Sequence, residues 1–160
     1  MFDITLITVG KLKEKFYIAA ADEYIKRLKG FCQFRIVELQ ETRLPENPSA
    51  AEISAGLDKE AMQIFNSIPK NAWFCVLTPE GKLLSSDDFA KKLHDIKLSG
   101  KSSACFLIGS SFGIAPQIKE KADFKLSMSA MTFPHHLARI MVLEQIYRAE
   151  SIQAGSKYHK

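Results

Sequence analysis

The chain has 160 residues, 46% hydrophobic and 25% charged, a balance that suits one folded domain and excludes wholesale disorder. Its net charge of +4 permits an RNA partner without requiring one, and no apolar run approaches the ~20 residues of a membrane span. The start, "MFDITLITVG", lacks the basic segment of a secretory leader, and the three isolated cysteines (Cys32, Cys75, Cys105) read as free buried thiols of a cytoplasmic protein.

In chain order, Asp3 to Val9 reads as a first strand. Lys13 to Lys29 reads as a helix, with Phe16, Ala20, Tyr24 and Leu28 on one face and Gly30 as its stop. Phe34 to Leu39 alternates as a half-exposed strand does, and "ETRLPENPS" is a loop. Ser49-Ala50-Ala51-Glu52 has the form of a capping box, opening a helix that reaches about Ser67. Trp73 to Leu77 is continuously apolar, as a strand covered on both faces would be. Thr78-Pro79-Glu80-Gly81-Lys82 reads as a tight turn, and Ser85 or Ser86 as the cap of a short helix through His94. Ala104 to Ile108 is a second buried strand, closed by "GSSFG". A brief helix follows Pro116, Phe124 to Leu126 is a short strand, and a long final helix begins at Pro134, which suits the first helical turn.

Strand and helix alternate about five times, so the expected fold is a single α/β domain over residues 1–160, a mostly parallel sheet with helices on both faces. Ligands of such sheets bind beyond the C-terminal strand ends. Three loops therefore matter: those after Leu77, after Ile108 and after Leu126. The first is also explained as a turn. The second, Gly109-Ser110-Ser111-Phe112-Gly113, is neither a dinucleotide fingerprint nor a P-loop; it fits a nucleotide-type ligand or a plain strand-to-helix turn. The third offers hydroxyls at Ser127, Ser129 and Thr132, an apolar slot at Met128 and Met131, and the free N–H groups of a helix start. His135 and His136 are adjacent and diverge by roughly 100° on a helix, so they do not form a zinc pair, and no metal is expected. No Ser-His-Asp or Cys-His arrangement is readable, which points to a site that binds and positions rather than one that hydrolyses.

The segments "LIGSSFGI", "LSMSAMTFPHHLARIMVLEQIYRAESI" and the ending "KYHK" resemble the SPOUT class of RNA methyltransferases. Within it they are most similar to the small bacterial enzymes that methylate N3 of a pseudouridine in 23S ribosomal RNA. The resemblance spans nearly the whole chain and is most specific from Ser129 to Ile152, with Glu144 and Tyr147-Arg148-Ala149. It implies S-adenosylmethionine as cofactor, bound in a C-terminal trefoil knot, and a homodimer with no separate RNA-binding domain. Carried over, Leu77, Gly109, Gly113, Met128, Ser129, Ala130, Met131, Thr132 and Phe133 line the cofactor pocket. Tyr158, His159, Arg148 and His136 serve the target base and its developing charge; Arg139, Arg148 and Lys160 meet phosphate. For Arg148 the spacing from Glu144 also suits an intrahelical pair, and Arg139 also fits a solvated helix face. The tail of one protomer then reaches the cofactor of the other, and the 70S ribosome rather than naked RNA is the expected substrate. The chain departs from the family at two places: the usual Gly-Gly-x-x-Gly has Ser110 as its second residue, and the usual terminal Arg is Lys160. The alternatives are a SPOUT methyltransferase acting on tRNA, a cofactor-binding homodimer without catalysis, and a structural dimer with a closed pocket.

Overall fold

The computed structural model describes residues 1–160. Five strands and five helices alternate: β1 (Asp3–Val9), α1 (Lys15–Leu28), β2 (Gln33–Leu39), α2 (Ala50–Ser67), β3 (Ala72–Leu83), α3 (Ser86–Leu98), β4 (Ser103–Ile108), α4 (Pro116–Lys121), β5 (Phe124–Ser127) and α5 (His135–Gln153). All strand pairs are parallel, in the order β2-β1-β4-β3-β5. This is the parallel α/β sheet expected from the alternation of elements.

The period of two along each strand builds two cores. Ile4, Leu6, Trp73, Cys75, Ala104, Phe106 and Ile108 face one side, where α1, α3 and α5 supply Leu28, Phe89, Leu93, Leu143 and Ile146. Ile7, Val9, Phe74, Val76, Cys105 and Leu107 face the other, against Ala61 and Ile64 of α2 and Ile118 of α4. The central strand β4 is buried throughout, whereas edge strand β2 is half-exposed, as its alternation suggests. Burial also pushes the Cys32 and Cys105 thiols up to about 12, so they are inert core residues.

α5 packs between α1 and α3. Its buried Glu150 is held by Lys97 of α3 at 2.7 and 2.8 Å, so the one carboxylate enclosed in that layer is neutralised. At the start of α2, Ser49 Oγ accepts from the Glu52 amide at 3.1 Å and the Glu52 carboxylate accepts from the Ser49 amide at 3.3 Å; both halves of the capping box form.

Several expectations are corrected. Residues 78–82 do not end β3: the strand continues to Leu83 around a bulge, with Leu77 and Lys82 both paired to Leu126. The bulge needs glycine, because a Cβ at Gly81 would lie 2.6 Å from the Leu126 carbonyl carbon. Helix α3 continues past His94 to Leu98, its Ile96 buried and its cap supplied by Ser85. Phe16 heads the apolar stripe of α1 yet is 67% exposed. Pro134 precedes α5 rather than entering its first turn, in extended geometry with its carbonyl accepting from Ala138 at 2.9 Å.

Candidate active site

The bulge of β3 at Leu77, Thr78 and Pro79 and the C-terminal ends of β4 and β5 open into one cavity of about 470 Å³. Its walls are the three loops singled out in the sequence. Leu77, Gly109, Gly113 and the whole run Met128, Ser129, Ala130, Met131, Thr132 and Phe133 line it, joined by Ser110, Lys119 and His135. Lys119 escaped the sequence reading, because only the fold brings α4 to the strand ends, and His135, weighed there only as a metal ligand, lines the cavity wall.

Each wall is held by local chemistry. In the middle wall, a Cβ at Gly109 would meet Ile114 Cγ1 at 2.5 Å and the Gly113 oxygen at 2.6 Å, so the turn closes only on glycine. Gly113 has open space around it but a φ of +97°, which glycine adopts without strain. Ser110 is not among the left-handed residues, so serine stands there without backbone strain; its carbonyl accepts from the Gly113 amide at 2.9 Å. In the last wall, Ser127 Oγ donates to the Ser129 carbonyl at 3.0 Å and Ser129 Oγ accepts from the Met131 amide at 3.0 Å. In the first wall, the Thr78 hydroxyl donates to Glu80, and Lys119 reaches the same carboxylate at 2.5 Å. Lys119 and then Thr78 hold the Glu80 carboxyl down to about 2.

Tyr158, His159 and Arg148 gather in a second cluster. Arg148 donates to Glu144 Oε1 at 2.9 and 2.5 Å, Tyr158 donates to the same oxygen at 3.2 Å, and His159 Nδ1 lies 3.1 Å from the Arg148 guanidinium. The Tyr147 and Tyr158 rings meet edge to face at 4.8 Å, and His159 also approaches Asp87 of α3 at 3.4 Å. Burial, then the Glu144 charge, pushes the Tyr158 phenol up to about 12. Arg148 thus makes the intrahelical pair that its spacing from Glu144 suggests. Lys160 is exposed beyond this cluster.

None of these tail residues lines that cavity in its own chain. Between the two lies an apolar hollow of about 410 Å³, walled by Met128, Ile140, Met141, Phe89 and Glu144, which shares Leu126, Ser127 and Met128 with the cavity.

Two expected site residues lie elsewhere. His136 stands apart from the tail, 3.5 Å from Glu14 and 6.2 Å, ring to ring, from Tyr17. Arg139 is 3% exposed and its guanidinium is occupied by Glu38 at 2.9 Å and by the Gly10 carbonyl at 3.0 Å. It is neither a phosphate contact on this surface nor a solvated helix residue; it braces the end of β1 to the end of β2.

A parallel sheet whose β3 bulge and β4 and β5 ends wall a glycine-shaped cavity defines an α/β protein built to hold a nucleotide-sized ligand at this edge of the sheet. A family model described as "Predicted SPOUT methyltransferase" matches residues 2–159, and the chain belongs to the SPOUT methyltransferase family. It is 46% identical over 158 residues to the ribosomal RNA large subunit methyltransferase H of Clostridium kluyveri, covering 99% of each chain. It is 43% identical over 158 residues to the protein of the same name in Clostridioides difficile, again covering 99% of each. Among solved structures, a probable methylase family protein from Haemophilus influenzae Rd KW20 superimposes with a TM-score of 0.52 at 16% identity, over 99% of this chain and 70% of that one, which supports the fold alone.

Proposed function

We propose that the protein is an S-adenosylmethionine-dependent methyltransferase of large-subunit ribosomal RNA, acting on N3 of a pseudouridine in 23S RNA. The observation that carries this reading is the cavity, because the three loops that a SPOUT cofactor would need converge on one volume of about 470 Å³. Full-length similarity to relatives named for ribosomal RNA methylation supports the substrate class.

The residues present fit the cofactor. The Gly109 turn lets backbone approach a flat ring, Met128, Met131 and Phe133 give it apolar walls, and the buried Ser110 hydroxyl lacks a hydrogen-bond partner. S-adenosylmethionine supplies an electrophilic methyl group on a sulfonium. The trefoil threading of the last loops is part of the same reading.

Tyr158 and Arg148 act on the target base. The phenol stays protonated far above neutral pH and donates a hydrogen bond, while the guanidinium stabilises charge that develops as the N3 proton leaves. His159 helps orient the pair, and Lys160 meets RNA phosphate as a point charge. Because the tail cluster and the cavity of one chain share no residue, the working unit is a homodimer in which each tail serves its partner's cavity. The exposed apolar side chains of Phe16, Ile18 and Met131 suit burial against a second copy. No helix is long and apolar enough to cross a membrane, and we place the enzyme in the cytoplasm with the ribosome.

Calorimetry of the purified protein with S-adenosylmethionine tests the first half of this reading: one site per protomer supports it, and no binding at millimolar cofactor contradicts it. Methyl transfer to 70S particles against free 23S RNA tests the substrate form. Transfer to 70S alone supports the assembled ribosome, and equal transfer to both contradicts it.

A further inference from the structure

The chain is net positive, yet the charge behind its cofactor cavity is negative. Glu60 of α2 is 5% exposed and takes part in no ion pair. Its Oε2 accepts from the Thr42 amide at 2.9 Å, and it neighbours Ser110, a buried residue of the cavity wall. The next residue, Ser111, donates to Glu41 at 3.2 Å. Two carboxylates therefore stand directly behind the Gly109–Gly113 turn. The one lysine in the cavity wall, Lys119, is neutralised by Glu80, and burial pushes the His135 imidazole below its ordinary range.

A carboxylate buried without a cation is costly, and burial raises the Glu60 proton affinity accordingly. No ammonium or guanidinium of the protein offsets it. A cation placed in the cavity would.

We propose that Glu60, seconded by Glu41, makes this cavity select a positively charged ligand over its neutral counterpart, acting from behind the Ser110–Ser111 segment. The inference rests on the cofactor reading above. The methyl donor carries a sulfonium charge; the demethylated product, S-adenosylhomocysteine, has a neutral thioether there and is otherwise the same molecule. The contacts of the methyl group itself are the same in the wild type and in a Glu60 variant, so the change of the affinity ratio between the two proteins isolates the effect of Glu60. The carboxylates favour capture of the donor and not retention of the product. Glu60 and Glu41 are thus specificity-determining residues that touch neither the methyl group nor the RNA.

The test is calorimetry of the full-length protein with each ligand separately, in the wild type and in Glu60→Gln and Glu41→Gln. Glu60→Gln is expected to weaken S-adenosylmethionine on the order of ten-fold, the scale of one unit charge at an effective dielectric of ~20, while S-adenosylhomocysteine changes less than about two-fold. Glu41→Gln, which is half-exposed and keeps the fold intact, shifts the same ratio in the same sense by about two- to three-fold. A parallel loss of both ligands in both variants would mean that the carboxylates only brace the loop, and would overturn the proposal; so would an unchanged ratio. Binding of neither ligand by the wild type would instead refute the cofactor reading itself.

Discussion

Arg139 in α5 and Glu38 at the end of β2, 101 positions apart in the chain, meet at 2.9 Å, and the same guanidinium caps the Gly10 carbonyl at 3.0 Å. This one side chain ties the final helix to edge strand β2 and to the end of its neighbour β1. Arg139→Ala should therefore destabilise the fold by about 2 kcal/mol, since hydrogen bonds to a charged partner are lost and the Gly10 carbonyl keeps only the Thr8 hydroxyl, at 3.5 Å. Urea unfolding measures that loss. The salt dependence of RNA binding should be unchanged; a slope reduced by about one in log–log form would show a phosphate contact instead.

Tyr158 makes a different prediction, because its hydrogen bond to Glu144 belongs to a cluster outside its own chain's cavity. Tyr158→Phe should lower turnover by about 10²-fold, the usual effect of removing one donor to developing charge, with S-adenosylmethionine affinity little changed. His159→Ala should act in the same direction. Loss of cofactor binding alone in either variant would reject the roles given to the tail.

The same tyrosine carries a pH signature. Its folded value of about 12 lies above the ordinary 10, so the folded chain binds the phenolic proton more tightly than the unfolded chain does. Its contribution to stability is then complete below pH ~10 and is lost as the pH rises through the window up to ~12. The difference in unfolding free energy between the wild type and Tyr158→Phe should be flat from pH 7 to 9 and narrow above 10.

Gly109 and Gly113 share a loop but should fail in different ways. Gly109→Ala drives a methyl group against Ile114 and the Gly113 carbonyl, an overpacking that should cost about 1–3 kcal/mol and distort the cavity wall. Gly113→Ala meets nothing, and its cost, on the order of 1 kcal/mol, comes only from holding alanine at a φ of +97°. Thermal unfolding and cofactor titration of the two variants should show the larger affinity loss in Gly109→Ala.

Much of this was written locally in the chain. The Ser49–Glu52 capping box, the buried runs of β3 and β4 and the half-exposed β2 follow from spacing and alternation, because each reports on neighbours a few residues away. The cavity segments after Ile108 and Leu126 were legible for the same reason, as irregular segments at strand ends. Residues 78–82 misled because Pro79 and Gly81 look like chain punctuation, whereas Gly81 is there so that the bulged strand can press against the Leu126 backbone. Arg139 misled because its partner lies on another strand, a pairing that no local pattern encodes. Glu60 and Glu41 were silent in the sequence for that same reason: each is an ordinary glutamate until α2 and the segment after β2 carry them behind the Ser110–Ser111 turn. The departure from glycine at position 110 turns out to fit the loop, since its backbone stays outside the left-handed region.

The most direct measurement is transfer of a labelled methyl group from S-adenosylmethionine to ribosomes from cells lacking the modification, followed by digestion of the RNA and mass analysis of the nucleosides. The account predicts label in 23S RNA, on the base of a pseudouridine and at N3. Label confined to tRNA, or label on a ribose or on another base of 23S RNA, would contradict it.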